Sequence, residues 1–411
     1  MQKNLLLVHL ESLNYVNYKM NRRLFPNLYE IEKKSIFFER YFSTATSTLM
    51  VIGDLMYGGM EQYEECQNLD FVPDEYAYKS SLFDDLKKEG YYTGIFIYPE
   101  GGDREGAEKR HIVGFQNEMV LKRDYVEYLN ELKKGMHKAP FALMACNYIS
   151  NLALNKYADH NVFGFDATTW ESGYRYLDQG VKDLMDLLEK QGMLDSTVIV
   201  FYGDHGDDYW THGMHGGLTH AIEPNASLIH TPLFIWTNTI SEGYCVNDLI
   251  CTIDLRKLII DLLNSEVGLD TIVHRVKNKY LISRNEYSAQ PLRKESFNKA
   301  YCITDGKYLL MVTNNGLTLF DIEMDPECHN NFLRFFIIEK GLLMDNTEIN
   351  MQYSFHFKYY WDVRNLRILR QHYYTLRERL YAKVLELYLA GKRSEKDMLN
   401  EMHFDKIDYT Y

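Results

Sequence analysis

Between Val198 and Gly217 the chain reads VIVFYGDHGDDYWTHGMHGG. An apolar run of strand length ends in Gly-Asp-His-Gly, and Asp207, Asp208, His212 and His215 follow within a few positions. Carboxylates and imidazoles are the side chains that hold zinc or manganese. A polar turn after a core strand explains this stretch equally well, so a metal site needs ligands from other segments. Glu11 offers one, because it directly follows the apolar run NLLLVHL at 4–10. In open parallel sheets ligands collect outside the carboxyl ends of the strands. Glu11, Asp204 and His205 can therefore meet although they lie far apart in the chain.

A third segment supplies hydroxyls. YFSTATSTLMVIGDLMYG (41–58) is rich in Ser and Thr and then turns apolar. One reading is a Ser/Thr cap ahead of a helix. A hydroxyl there also sits where helix amides favour an anion. An unassisted Thr hydroxyl is a poor nucleophile at neutral pH. Next to a divalent cation it becomes an effective one towards a phosphate ester.

These three segments need a frame. The chain has 411 residues, 46% of them hydrophobic, enough for a large core. Its net charge of −13 argues against nucleic acid as a partner. The six cysteines are scattered without C-x-x-C spacing and read as free thiols in a reducing compartment. The opening MQKNLLLVHLES has no cleavage pattern, and no run reaches the roughly 18 apolar residues of a membrane span. The expectation is a cytoplasmic protein, with a soluble piece of a membrane-anchored one as the alternative.

Residues 81–98 read as a helix, a stop at Gly90 and then a strand, and apolar runs of strand length at 4–10, 139–149, 196–203 and 230–236 alternate with helical patterns at 25–35 and 174–194. In the last of these, Leu177, Val181, Leu184 and Leu188 share a face and Gly192 suits the C-terminal end. This pattern predicts an α/β fold, a mostly parallel sheet covered by helices on both faces. After about residue 295 the texture changes. Residues 299–323 alternate and carry an Asn-Asn-Gly turn, which predicts antiparallel strands. Residues 350–395 are helical. The expected division is a catalytic domain at 1–295, an antiparallel subdomain at 296–345 and a helical tail at 346–411. The tail either caps the core or mediates self-association into a homo-oligomer. The 33 tyrosines are read as packing rather than as a carbohydrate-binding surface.

Six ordered segments resemble the sulfatase branch of the alkaline phosphatase superfamily. NLLLVHLES is similar to its first strand and acidic ligand, and FPNLYEIEKKSIFFERYFS to its P-N-L-x-x-L…F-x-x-x-Y segment. LFDDLKKEGYYTGIF resembles L-x-x-x-L-x-x-x-G-Y-x-T. LDQGVKDLMDLLEKQGMLDSTVIVFYGDHGD resembles the long segment ending S-D-H-G-E. HTPLFIW resembles the following strand, and LTLFDIEMDPECHNNFL the terminal Y-D-L-x-x-D-P-x-E segment. The resemblance runs over most of residues 4–335 and implies an alkaline phosphatase-like fold.

The family's sulfatases carry C/S-x-P-S-R at the nucleophile, and the Cys, Pro and Arg are absent here. TSTLMV instead resembles the phosphoethanolamine transferases, and Glu11 resembles both those enzymes and the lipoteichoic acid synthases. The resemblance implies Thr48 as nucleophile, with Thr46 and Ser47 as competing hydroxyls. It implies Glu11, Thr48, Asp204 and His205 as ligands of a divalent metal, zinc or manganese, as one or two ions. Relatives place a histidine after the strand at 139–149; here Ser150 and Asn151 stand there, unless His160 takes the role from a shifted loop. A further histidine after Asp-His-Gly is expected to protonate the leaving group or hold a second metal. His212 and His215 are the leading candidates, with His220 behind them. His230 is read as a strand-edge residue, and His9 as a satisfied core histidine.

The leading expectation is a metal-dependent phosphotransferase or phosphodiesterase working through phospho-threonine. Its partners would be a phosphodiester donor and a hydroxyl acceptor, glycan or lipid-linked, as in cell-envelope precursors. The alternatives are a sulfate or phosphate monoester hydrolase, and a non-catalytic binding protein on the same fold.

Overall fold

The computed structural model describes residues 3–60, 80–99, 118–151, 170–209, 211–212, 220, 222–264, 268–286, 299–345 and 363–410. Its centre is an eight-stranded sheet. In chain order the strands are β1 (Asn4–Leu10), β2 (Ser35–Phe38), β4 (Tyr92–Tyr98), β5 (Glu118–Leu121), β6 (Phe141–Asn147), β7 (Thr197–Gly203), β8 (Leu233–Trp236) and β9 (Tyr244–Val246). β3 (Tyr41–Phe42) pairs apart from it with β10 (Ile250–Cys251). Across the sheet the order is β5-β4-β6-β1-β7-β8-β2-β9. Every pairing is parallel except those of β8, which runs against both β7 and β2.

β1, β6 and β7 are buried on both faces, which is why they read as unbroken apolar runs. Their side chains alternate between two cores. Leu5, Leu7, Val198 and Val200 face one, where the helices Thr48–Tyr57, Leu82–Lys88 and Thr252–Asn264 pack. Leu6, Val8, Ile199 and Phe201 face the other, against Pro26–Glu32, Tyr125–Met136 and Trp170–Lys190. The apolar stripe expected at Leu177, Val181, Leu184 and Leu188 is the buried face of that last helix. Nine tyrosines are among the largest fully buried side chains, Tyr18, Tyr98 and Tyr202 included, in line with packing as their main use.

A second sheet is antiparallel, ordered β11 (Leu281–Asn285), β12 (Ala300–Thr304), β13 (Tyr308–Val312) and β14 (Leu317–Asp321). Its first strand precedes residue 296. One face carries the long helix Val363–Ala390, whose Tyr373, Leu376, Leu380 and Val384 pack with Leu310, Val312 and Leu319. The other face turns Cys302, Leu309 and Met311 towards Phe42 and Ile229 of the large domain. The tail thus caps the small sheet, and the small sheet is buried from both sides. A hairpin of β15 (Phe336–Glu339) and β16 (Leu342–Asp345) follows. The five described cysteines are all free.

β11 is stitched to the segment that leads into the 48–57 helix. The Arg284 amide donates to the Thr44 carbonyl at 3.0 Å, and the Ser283 hydroxyl donates to the Ser43 carbonyl. The Arg284 guanidinium enters the core and pairs bidentately with Asp54 of that helix, at 2.7 and 3.0 Å. Both side chains are fully buried, and the Thr44 hydroxyl donates to the same carboxylate at 2.6 Å. A buried pair stabilises little in net terms, but removing one partner strands a charge in the core. Arg284→Met is therefore expected to cost about 3–5 kcal/mol of unfolding free energy. Adding Asp54→Leu should recover much of that loss. Urea unfolding of the two variants checks this, and a single-variant cost below about 1 kcal/mol would contradict it.

Candidate active site

The site is built at the carboxyl ends of β1 and β7. Their register pairs Leu10 with Gly203, so the next residues, Glu11 and Asp204, emerge side by side. Both are buried. β6 lies on the other side of β1, with Asn147 opposite Leu10. The turn after β6 holds Glu11 in place. The Ser150 hydroxyl donates to the Glu11 carbonyl at 2.6 Å, and Asn151 Nδ2 donates to Glu11 Oε1 at 2.8 Å. Ser12 takes a left-handed backbone, φ 56°. Its amide donates to Asp204 Oδ1 at 3.1 Å, and its carbonyl accepts from the Tyr174 hydroxyl at 2.8 Å.

The glycine after Asp-His is required by close packing. A Cβ on Gly206 would lie 2.2 Å from the Ser227 carbonyl oxygen. That approach also aims His205. Its Nδ1 lies 3.0 Å from the Gly206 carbonyl, an acceptor, so Nδ1 carries a proton and Nε2 is the nitrogen that faces the site. That nitrogen is 3.0 Å from the Thr48 hydroxyl and 3.1 Å from Asp204 Oδ2.

Thr48 is the first residue of its ten-residue helix, behind an extended Ser47. The three hydroxyls of the T-S-T run face different surroundings. Thr46 Oγ1 lies 3.1 Å from the Ile222 carbonyl and 3.2 Å from Asn285 Oδ1. Ser47 Oγ is buried and makes no hydrogen bond among the described residues. Thr48 Oγ1 is the one set against His205.

His9, read from the sequence as a satisfied core histidine, is in the core but touches the site. Residues 9 and 11 project to one face by the two-residue period of a strand. His9 Nε2 lies 2.9 Å from Glu11 Oε2 and 3.3 Å from Asp204 Oδ2. Burial alone would lower its pKa, but the Asp204 and Glu11 carboxylates push it up to about 10. Burial alone would raise that of Asp204, but the His205 and His9 rings hold it well below the usual carboxylate range. The pocket therefore calls for positive charge.

The donor chemistry fits a divalent cation. Asp204 Oδ2 is fully buried and accepts no well-formed hydrogen bond, with ring nitrogens on two sides. His9, Glu11 and Asp204 bring one donor atom each within 4.8 Å of one another, and so do His205, Asp207 and His220. The Asp204–His205 contact joins the two groups. The expected ligands Glu11, Thr48, Asp204 and His205 thus lie along one chain of contacts, in which His9 is an added member.

The loop histidines separate. His220 stacks on His205, ring centroids 4.2 Å apart, and its Nδ1 is held by Asp207 at 2.7 Å. His212 is tied to Asp208 through both its ring and its amide, and packs against His329. His215 and His160 lie outside the described residues. Among the described residues, the loop histidine brought against His205 is therefore His220, ranked behind His212 and His215 from sequence. His230 stacks on Tyr15 and Phe42 and bonds the Glu39 carbonyl, a packing role. Ser150 and Asn151 stood out in the sequence as the place of a missing histidine. They are the residues that fasten Glu11, and an amide beside a carboxylate was the available signal.

Comparison with known proteins bears on the fold that carries this site. Residues 167–265 match the Sulfatase family model. Over 181 residues the chain is 28% identical to lipoteichoic acid synthase 2 of Bacillus subtilis (strain 168). That match takes in 43% of this chain and 26% of the relative, about a quarter of its length. Among solved structures, a protein in the alkaline phosphatase superfamily from Vibrio parahaemolyticus superposes with a TM-score of 0.60 at 16% identity. The superposition covers 80% of this chain and 82% of that one. The lipoteichoic acid synthase LtaP from Listeria monocytogenes gives a TM-score of 0.52 at 16% identity, covering 75% of this chain and 81% of that one. At such identities the structural likeness speaks for the fold. Among the described residues no helix is long and apolar enough to cross a membrane.

Proposed function

We propose, from the premise that this chain is a sulfatase-family protein of the alkaline phosphatase superfamily, that it transfers or hydrolyses phosphodiesters through a phospho-threonine at Thr48. The observation that carries this reading is the Thr48 hydroxyl, at the first turn of a helix and 3.0 Å from His205 Nε2, whose ring nitrogen lies 3.1 Å from Asp204. Glu11, Asp204 and His205 would hold a divalent cation, zinc or manganese by their donor types, with Thr48 as a further oxygen ligand. Such an ion would lower the pKa of the Thr48 hydroxyl, so that its proton passes to solvent before attack, and would offset charge on the phosphoryl group.

The remaining steps belong to the chain. Thr48 Oγ1 bonds to phosphorus, and the bond from phosphorus to the donor's departing oxygen breaks. The amino end of the 48–57 helix faces that centre with its partial positive charge. His220, with Nδ1 held by Asp207, has its Nε2 to protonate the departing alkoxide. An acceptor hydroxyl or water then gives its proton back to His220 and attacks phosphorus, releasing Thr48. The similarity to proteins named lipoteichoic acid synthase supports a cell-envelope donor and a glycan or lipid-linked acceptor.

Bis(p-nitrophenyl) phosphate with manganese tests the nucleophile. Thr48→Ala should lose about a thousand-fold or more in turnover, and intact-mass analysis should show a phosphoryl adduct on the wild-type chain alone. Full turnover by the variant would refute the assignment. So would an activity dominated by aryl sulfate, which would favour the sulfate-ester reading. His220→Ala should lose about 10²–10⁴-fold on a diester with an alkyl leaving group. The first-turnover release of nitrophenolate from the nitrophenyl diester should stay near wild type, because that leaving group needs no proton. Equal losses on both substrates would remove His220 from the acid role.

A further inference from the structure

His9 is the one polar side chain between Leu5 and Leu10 of the central strand, and it is fully buried. Its surroundings fix where its protons go. Nδ1 lies 3.0 Å from the Tyr202 hydroxyl oxygen. The Tyr202 hydroxyl in turn donates to Met144 Sδ at 3.8 Å, which leaves its oxygen free to accept. Nδ1 can therefore donate to Tyr202, which leaves Nε2 as the nitrogen that faces the site. The edges of the Tyr148 and Tyr202 rings hold the imidazole, with centroids 5.5 and 5.3 Å away.

Nε2 is hydrogen-bonded to Glu11 Oε2 at 2.9 Å and lies 3.3 Å from Asp204 Oδ2, so a cation bound there would take the place of its proton. Three electron-rich atoms from three buried residues converge there. Glu11 Oε1 is turned away, engaged by Asn151 and Ser12, and Asp204 Oδ1 is engaged by the Ser12 amide. The two remaining carboxylate oxygens are thus the ones that meet His9. A ligand imidazole typically donates its other nitrogen to a fixed acceptor, which sets its tautomer. Tyr202 fills that position for His9, as the Gly206 carbonyl does for His205.

We propose that His9 Nε2 is a direct ligand of the same cation that Glu11 and Asp204 hold. This rests on the cation site of the proposed function and extends it, giving the ion two imidazole nitrogens, from His9 and His205. A second imidazole biases the site towards transition metals and away from magnesium or calcium.

Pulsed EPR on the full chain loaded with Mn(II) alone counts coordinated ¹⁴N nuclei. The wild type should show two. His9→Gln and His205→Gln should each show one, and His9→Gln should bind Mn(II) about 10–100-fold more weakly. A single nitrogen in the wild type, lost in His205→Gln and kept in His9→Gln, overturns the inference while leaving the cation site intact. Two nitrogens that both survive His9→Gln overturn it as well, by assigning the second to another ring. No bound Mn(II) overturns both the inference and the site beneath it. Where His9→Gln fails to fold, His220→Gln decides: two nitrogens in that variant support His9 as the second ligand, and one overturns the inference by assigning the second to His220.

Discussion

Two carboxylates are forced together at the ends of adjacent parallel strands. The β1–β7 register leaves no freedom in this, because Leu10 opposite Gly203 makes Glu11 and Asp204 neighbours. Both are buried, and one oxygen of each lies within 4.8 Å of the other. Two such charges at that distance repel by about 3–4 kcal/mol at an effective dielectric constant of 20, beyond the cost of desolvating each. Without an ion the protein meets that demand with the His9 ring between them. A divalent cation meets it more fully, because it can take the free oxygen of each carboxylate at once.

The surrounding structure keeps that arrangement from relaxing. Ser150 and Asn151 fasten Glu11 from the β6 side, and the Ser12 amide fastens Asp204 from the β1 side. Gly206 lets the chain pass against Ser227, so that its own carbonyl orients His205. The 48–57 helix is positioned from further away. Arg284 and Ser283 of the small sheet hold residues 43–44, and the Arg284–Asp54 pair locks the helix body to the same strand. The small sheet is in turn covered by the C-terminal helix. The C-terminal helix thus supports the position of Thr48 through one strand.

The parallel core was legible because strands buried on both faces must be apolar throughout. The 170–190 helix was legible because one face of it had to be. Glu11, Asp204 and His205 could be placed because they sit at strand ends, where topology alone brings residues together. The reversed direction of β8 was not legible, since HTPLFIW reads alike in either sense. Nor was the Arg284–Asp54 pair, whose partners are 230 positions apart in chain and sit in unrelated patterns. His9 is buried and hydrogen-bonded as a satisfied core histidine, and it also borders the site. A buried histidine usually has a packing role, but the same two-residue period that builds the strand puts position 9 beneath position 11. The loop histidines could not be ranked by spacing, because the path of a loop decides which ring reaches His205.

The central claim is that one buried cation sits between Glu11, Asp204 and His205 with the Thr48 oxygen against it. A crystal of the manganese-loaded chain, with an anomalous map collected at the manganese edge, tests it most directly. The account predicts an anomalous peak in contact with the Glu11 and Asp204 carboxylates and His205 Nε2, and Thr48 Oγ1 turned onto the same ion. Absence of a peak there, or an ion bound with the Thr48 hydroxyl directed away from it, would contradict the account.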